Sequence, residues 1–120
     1  MRQQPFVLLV EDDVQLRKVI TANLRARGYL VFEAGSFKEA VDQLAVKPQL
    51  MILDIYLPDA TGWDVAQWAE TVSVSVPTIV ISISKPDRRQ IERFAPASFL
   101  RKPFNIRQLM ELVETYAPAA

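Results

Sequence analysis

The sequence predicts a doubly wound α/β domain in which short parallel strands alternate with helices. Three observations carry that expectation. The apolar runs Pro5 to Val10, Leu50 to Leu53 and Pro77 to Ile81 are continuous rather than alternating, as in strands covered on both faces. Between and after them, apolar residues recur at helical spacing. The chain has 120 residues, half of them hydrophobic and 23% charged, which suits one such domain and leaves no room for a second.

The first strand, Pro5 to Val10, ends in Glu11-Asp12-Asp13. From Val14 to Arg27 the residues Leu16, Val19, Ile20 and Leu24 recur at helical spacing, and Gly28 is placed to cap the helix C-terminus. Tyr29 to Glu33 reads as a second strand. Ser36 and Glu39 have the spacing of a capping box, opening a helix with the stripe Phe37, Ala40, Val41 and Leu44. Pro48 closes that region, and Leu50 to Leu53 is the third strand, ending at Asp54. Pro58 and Gly62 then break the chain. A third helix is expected from about Thr61, with Val65, Trp68, Ala69 and Val72 at helical spacing. Pro77 to Ile81 is the fourth strand, with Ser82-Ile83-Ser84 at its carboxyl end. A short, charged helix is expected over Pro86 to Phe94, and Ser98 to Arg101 makes the fifth strand. Lys102-Pro103 turns the chain, and Asn105 can cap a last helix with the stripe Ile106, Leu109, Val113 and Tyr116.

Composition removes several chemistries. With no cysteine and no histidine, the chain has no disulfide, thiolate or imidazole metal site, catalytic triad or phosphohistidine of its own. Fourteen basic and fourteen acidic residues balance, so the totals suggest neither direct nucleic-acid binding nor an anionic membrane surface. The apolar runs are too short to cross a bilayer and the N-terminus lacks a signal-peptide core, so a cytoplasmic location is expected. The whole chain, 1–120, reads as one domain. Ala117-Pro118-Ala119-Ala120 (117–120) is compatible with the start of a linker to a following output domain.

Parallel strands with right-handed crossovers bring all five carboxyl ends to one rim, where ligands of open α/β sheets bind. The residues at those ends are Glu11, Asp12, Asp13, Asp54, Ser82 and Lys102. Carboxylates in such number repel one another unless something positive joins them. A hard divalent cation such as Mg²⁺ fits this oxygen donor set. A cation and an ammonium facing one carboxylate suit phosphoryl transfer, catalysed by positioning and charge neutralisation, with Asp54 as the nucleophile forming an acyl phosphate.

These residues, in this order and spacing, resemble a receiver domain of the CheY-like response regulators of two-component signalling. The carriers are Val10-Glu11-Asp12-Asp13, Asp54 through Pro58 to Gly62, Ser82, and Lys102-Pro103-Phe104, and the match spans essentially the whole chain. The resemblance implies a flavodoxin-like (βα)5 fold with strand order 2-1-3-4-5. It implies that Asp54 accepts a phosphoryl group from a phosphohistidine on a sensor histidine kinase or a histidine phosphotransfer protein. Glu11 and Asp12 would hold Mg²⁺ with Asp54 and the backbone carbonyl of Tyr56. Ser82 and Lys102 would meet phosphoryl oxygens, and Lys102-Pro103 would be cis. Phe99 would be the switch aromatic that turns inward as Ser82 moves, altering the face made by the fourth helix, fifth strand and fifth helix, through which two copies could pair. Such a domain is a signalling phosphoacceptor rather than an enzyme, promoting only its own phosphorylation and slow dephosphorylation.

Taken singly, each residue has an ordinary structural reading. Glu11, Asp12 and Asp13 precede a helix and could simply cap it, as Asp13 is expected to do. Asp59 is expected to be a turn carboxylate bonding its own backbone, and Phe99 could be a plain core aromatic. Joint occurrence on one rim favours the functional reading for Asp12, Asp54 and Lys102. The chain departs from the family at Ile83, a bulky residue expected to narrow access to Asp54, and at Ala95-Pro96-Ala97, which replaces a glycine-containing approach to the fifth strand. A haloacid-dehalogenase-type phosphatase would need an aspartate where Tyr56 stands. A nucleotide-binding module would need a glycine-rich loop that Gly28, Gly35 and Gly62 do not make. The remaining alternative is a receiver-like protein-interaction module that is not regulated by phosphorylation.

Overall fold

The structure is a computed structural model and describes residues 4–119; positions 1–3 and 120, which include the end of the expected linker, lie outside the described residues. Elements alternate from the start: β1 (Phe6–Val10), α1 (Val14–Ala26), β2 (Leu30–Ala34), α2 (Phe37–Gln43) with a 3₁₀ turn at Leu44–Val46, and β3 (Leu50–Asp54). There follow α3 (Gly62–Thr71), β4 (Thr78–Ser82), α4 (Arg88–Phe94), β5 (Ser98–Arg101) and α5 (Ile106–Tyr116). The five strands form one parallel sheet in the order β2-β1-β3-β4-β5.

Continuous apolar strands are explained by cores on both faces. Val7 and Leu9 of β1, Leu50 and Ile52 of β3, and Ile79 and Ile81 of β4 face Ile20 and Leu24 of α1 and Leu109, Met110 and Val113 of α5. Leu8, Val10, Met51 and Leu53 point the other way, onto Ala40 of α2 and Val65 and Ala69 of α3. Period-two alternation therefore sorts each strand between two apolar layers. A third cluster, Ile55, Trp63 and Val80 with Phe94 and Phe99, lies where α3, α4 and β5 meet.

Helix boundaries follow their caps. Asp13 accepts from the N–H groups of Gln15 and Leu16, opening α1, and Gly28 (φ 91°) ends it while Tyr29 N–H returns to the Leu24 carbonyl. Ser36 accepts from Glu39 N–H as expected, but the Glu39 carboxylate bonds Gly35 N–H, not that of Ser36, so the box is not closed there. A reciprocal capping box forms instead between Thr61 and Asp64 at α3. Four stripe residues are exposed, Val19, Trp68, Val72 and Tyr116, while Trp63, off the expected stripe, is buried in the third cluster. Helix α4 starts two residues later than expected and buries none of its seven residues. Ala95 ends it at φ 45°, a left-handed position that glycine usually takes. Ala117 is buried, and its carbonyl accepts a 2.6 Å bond from the Tyr29 hydroxyl, which ties the end of α5 to the start of β2.

Candidate functional site

The site is built at the carboxyl edge of the three central strands. Register pairs Val10 with Leu53, and Asp54 with Ile81, so the residues following β1 and those ending β3 and β4 lie side by side. Carboxylate oxygens of Glu11, Asp12 and Asp54 all fall within 4.8 Å of one another. Asp54 is nearly fully buried: its Oδ1 accepts from Tyr56 N–H at 3.2 Å and its Oδ2 from the Lys102 ammonium at 3.0 Å. Lys102 Nζ also lies 2.7 Å from Glu11 Oε1, but off the direction of a hydrogen bond. That buried oxygen thus has a charge beside it and no aligned donor, while Glu11 Oε2 accepts from Asp13 N–H.

The electrostatics of this group are frustrated. One ammonium faces two buried carboxylates, with Asp12 exposed beside them. Burial first, and then the neighbouring Asp54, push the Glu11 carboxyl up from 4.5 to about 8. Burial alone would depress the Lys102 ammonium, yet the adjacent carboxylates of Glu11 and Asp54 outweigh this and hold its pKa above the ordinary 10.5. A divalent cation would relieve the excess negative charge and use the orphaned Glu11 oxygen, and the all-oxygen donor set suits Mg²⁺. The Tyr56 carbonyl is bonded by no donor among the described residues. Lys102-Pro103 is cis.

The remaining expected residues take different places. Ser82 is fully buried one residue beyond the register partner of Asp54, and its hydroxyl accepts from Ser84 N–H. Phe99 is half-buried in the third cluster with Ile55, Trp63 and Val80. Ile83 is 65% exposed and walls a surface groove with Asp13, Leu16, Lys102 and Phe104, so it borders the approach to the rim. Asp59 has partners beyond its own turn: its carboxylate accepts from the N–H groups of Phe37 and Lys38, at 2.8 and 3.1 Å, and so caps α2 across the fold.

Four contacts went unread in the sequence. Arg17 Nη1 donates to the Glu11 carbonyl at 2.8 Å and Nε pairs with Glu33 at 3.3 Å. The Tyr56 and Ser84 hydroxyls lie 2.9 Å apart and join the loops after β3 and β4. Trp63 stacks on Phe94 with 5.3 Å between ring centroids. For Arg17 a signal existed, an arginine one helical turn after the acidic run; for the others nothing local marked the partner.

A model of the response regulator receiver domain matches residues 7–114. The chain belongs to the response regulator receiver domain family. It is 35% identical over 113 residues to the transcriptional regulatory protein PdtaR of Mycobacterium tuberculosis, covering 90% of this chain and 54% of that protein. It is 34% identical over 110 residues to the KDP operon transcriptional regulatory protein KdpE of Escherichia coli, covering 86% and 47%. This receiver chain thus spans about half the length of these curated relatives. Among solved structures, the non-phosphorylated HemR receiver domain of Leptospira biflexa superposes with a TM-score of 0.85 at 27% identity, covering 93% of each chain. The response regulator TrrA of Thermotoga maritima, solved with Mg²⁺ and BeF, superposes with a TM-score of 0.81 at 25% identity, covering 93% of this chain and 98% of that one. No described helix is long and apolar enough to cross a membrane.

Proposed function

We propose that this receiver domain takes a phosphoryl group onto Asp54 from a phosphohistidine on a sensor histidine kinase or histidine phosphotransfer protein. The observation that carries the reading is the Lys102 ammonium, shared between Asp54 and Glu11 at the carboxyl edge of the sheet. A carboxylate oxygen of Asp54 attacks phosphorus; the P–N bond breaks as the P–O bond forms, and its electron pair leaves with the imidazole nitrogen of the donor. On this reading Lys102 would transfer its contact from the Asp54 oxygen to a phosphoryl oxygen, and Ser82 would offer its hydroxyl to another. Glu11, Asp12, Asp54 and the Tyr56 carbonyl would hold Mg²⁺, which when bound supplies positive charge against the phosphoryl oxygens. On this reading the domain works in the cytoplasm, promotes only its own phosphorylation and slow dephosphorylation, and signals to a partner, an output domain or a second copy through α4, β5 and α5, with Phe99 following Ser82.

A second reading, an interaction module not regulated by phosphorylation, draws on the Tyr56 to Ser84 bridge, which joins the loops flanking Asp54. Incubation with a small phosphodonor and Mg²⁺ followed by intact-mass spectrometry separates the two. The phosphoacceptor reading predicts a labile single phosphoryl adduct, lost in Asp54→Asn and without Mg²⁺. An unmodified wild-type chain favours the interaction module.

A further inference from the structure

Asp12 is the exposed member of the acidic group, and its carboxylate has no hydrogen-bond partner among the described residues. What aims it is therefore the backbone that carries it, chiefly the peptide unit joining Glu11 to Asp12. That unit is gripped at its oxygen: Arg17 Nη1 donates to the Glu11 carbonyl at 2.8 Å. The guanidinium is braced on its other side by Glu33 of β2, at 3.3 Å from Nε. It is admitted by Gly35, where a Cβ would stand 2.9 Å from Arg17 Nη1. The Glu11 N–H is meanwhile tied to the Ala34 carbonyl at 2.9 Å. Both ends of Glu11 are thus fixed to the β2 side of the sheet, one of them only through Arg17.

We propose that Arg17 is a positioning residue for the divalent-cation site, holding the Glu11–Asp12 peptide so that the Asp12 carboxylate is presented beside Asp54. The inference rests on the reading of the acidic group as a Mg²⁺ site. The Arg17–Glu33 pair is 22% and 34% exposed, and an ion pair in reach of solvent contributes little to stability by itself, so a role confined to packing leaves cation affinity untouched. Residues that orient metal ligands typically change affinity by 10–100-fold when removed.

The test is isothermal titration of the full chain with MgCl₂, with far-UV circular dichroism and metal-free melting to establish folding. Arg17→Ala is expected to bind Mg²⁺ about tenfold more weakly than wild type. Arg17→Lys, which keeps a donor and a charge but lacks the fork to reach Glu33 as well, recovers part of the loss. Gly35→Ala retains Arg17 and displaces only the end of its flexible side chain, so it weakens Mg²⁺ binding in the same direction even if Arg17→Ala does not fold. Added to Arg17→Ala, the glycine substitution costs nothing further. Wild-type affinity in Arg17→Ala or in Gly35→Ala, or full additivity of the two, overturns the positioning role while leaving the cation site standing. A wild-type chain that binds no Mg²⁺ overturns the cation site and the positioning role together.

Discussion

At Lys102 one ammonium serves two buried carboxylates, and this shortage of positive charge is the chemical character of the site. Lys102→Ala is expected to keep the fold and to accept phosphoryl groups, but to lose the dependence of partner affinity on phosphorylation. Unchanged phosphorylation-dependent affinity in that variant contradicts the assignment. Asp59 illustrates a different residue-scale effect. The Phe37 N–H, opposed by some desolvation and joined by the Lys38 N–H, holds its carboxyl below the usual 3.8. A depressed carboxyl contributes stability that is fully present above its unfolded value and is lost as pH falls through the folded one. Asp59→Ala should therefore lower the urea midpoint at neutral pH, and the gap from wild type should close as pH is taken below 3.8. A gap that does not change with pH would sink the capping role. Sequence could not assign Asp59 its partner, because the N–H groups it bonds lie more than twenty positions away.

At the scale of elements, the turn between β3 and α3 is fixed by a close backbone approach. Gly62 N–H bonds the Ile55 carbonyl at 2.7 Å, and a Cβ on Gly62 would stand 2.3 Å from the Asp54 carbonyl oxygen. Gly62→Ala is thus expected to destabilise the chain by about 1–3 kcal/mol, as overpacking does, and to disturb the loop carrying Tyr56. Chemical denaturation measures the first effect; an unchanged midpoint would show that the loop relaxes freely. The caps at Asp13, Ser36 and Asn105 were legible because a cap is a local pattern. Helix periodicity was less informative for burial. Trp68 falls on the stripe with Val65 and Ala69 yet is exposed, whereas Trp63 lies off that stripe and is buried against Phe94 of α4, a neighbour that periodicity does not see. Helix α4 itself has no apolar stripe to read; its packing contact is Phe94, stacked on Trp63 of α3 beside Ile55 and Val80.

For the whole molecule, the parallel sheet follows from the spacing of apolar runs, and its rim from the rule that all strands end on one side. This is why Glu11, Asp12, Asp54 and Lys102 could be placed together although they come from positions as far apart as 11 and 102. What the strand pattern does not contain is the second layer of support, the Arg17 grip and the Tyr56 to Ser84 bridge, because these depend on side chains meeting across loops. On the proposed function, this support and this rim serve one nucleophile, Asp54. Borohydride reduction converts an aspartyl phosphate to homoserine and so marks the residue that carried it. After treatment with a phosphodonor and Mg²⁺, reduction and peptide mapping, homoserine is expected at position 54 alone; homoserine at Asp12, Asp13 or Asp59, with Asp54 intact, would refute Asp54 as the phosphoacceptor.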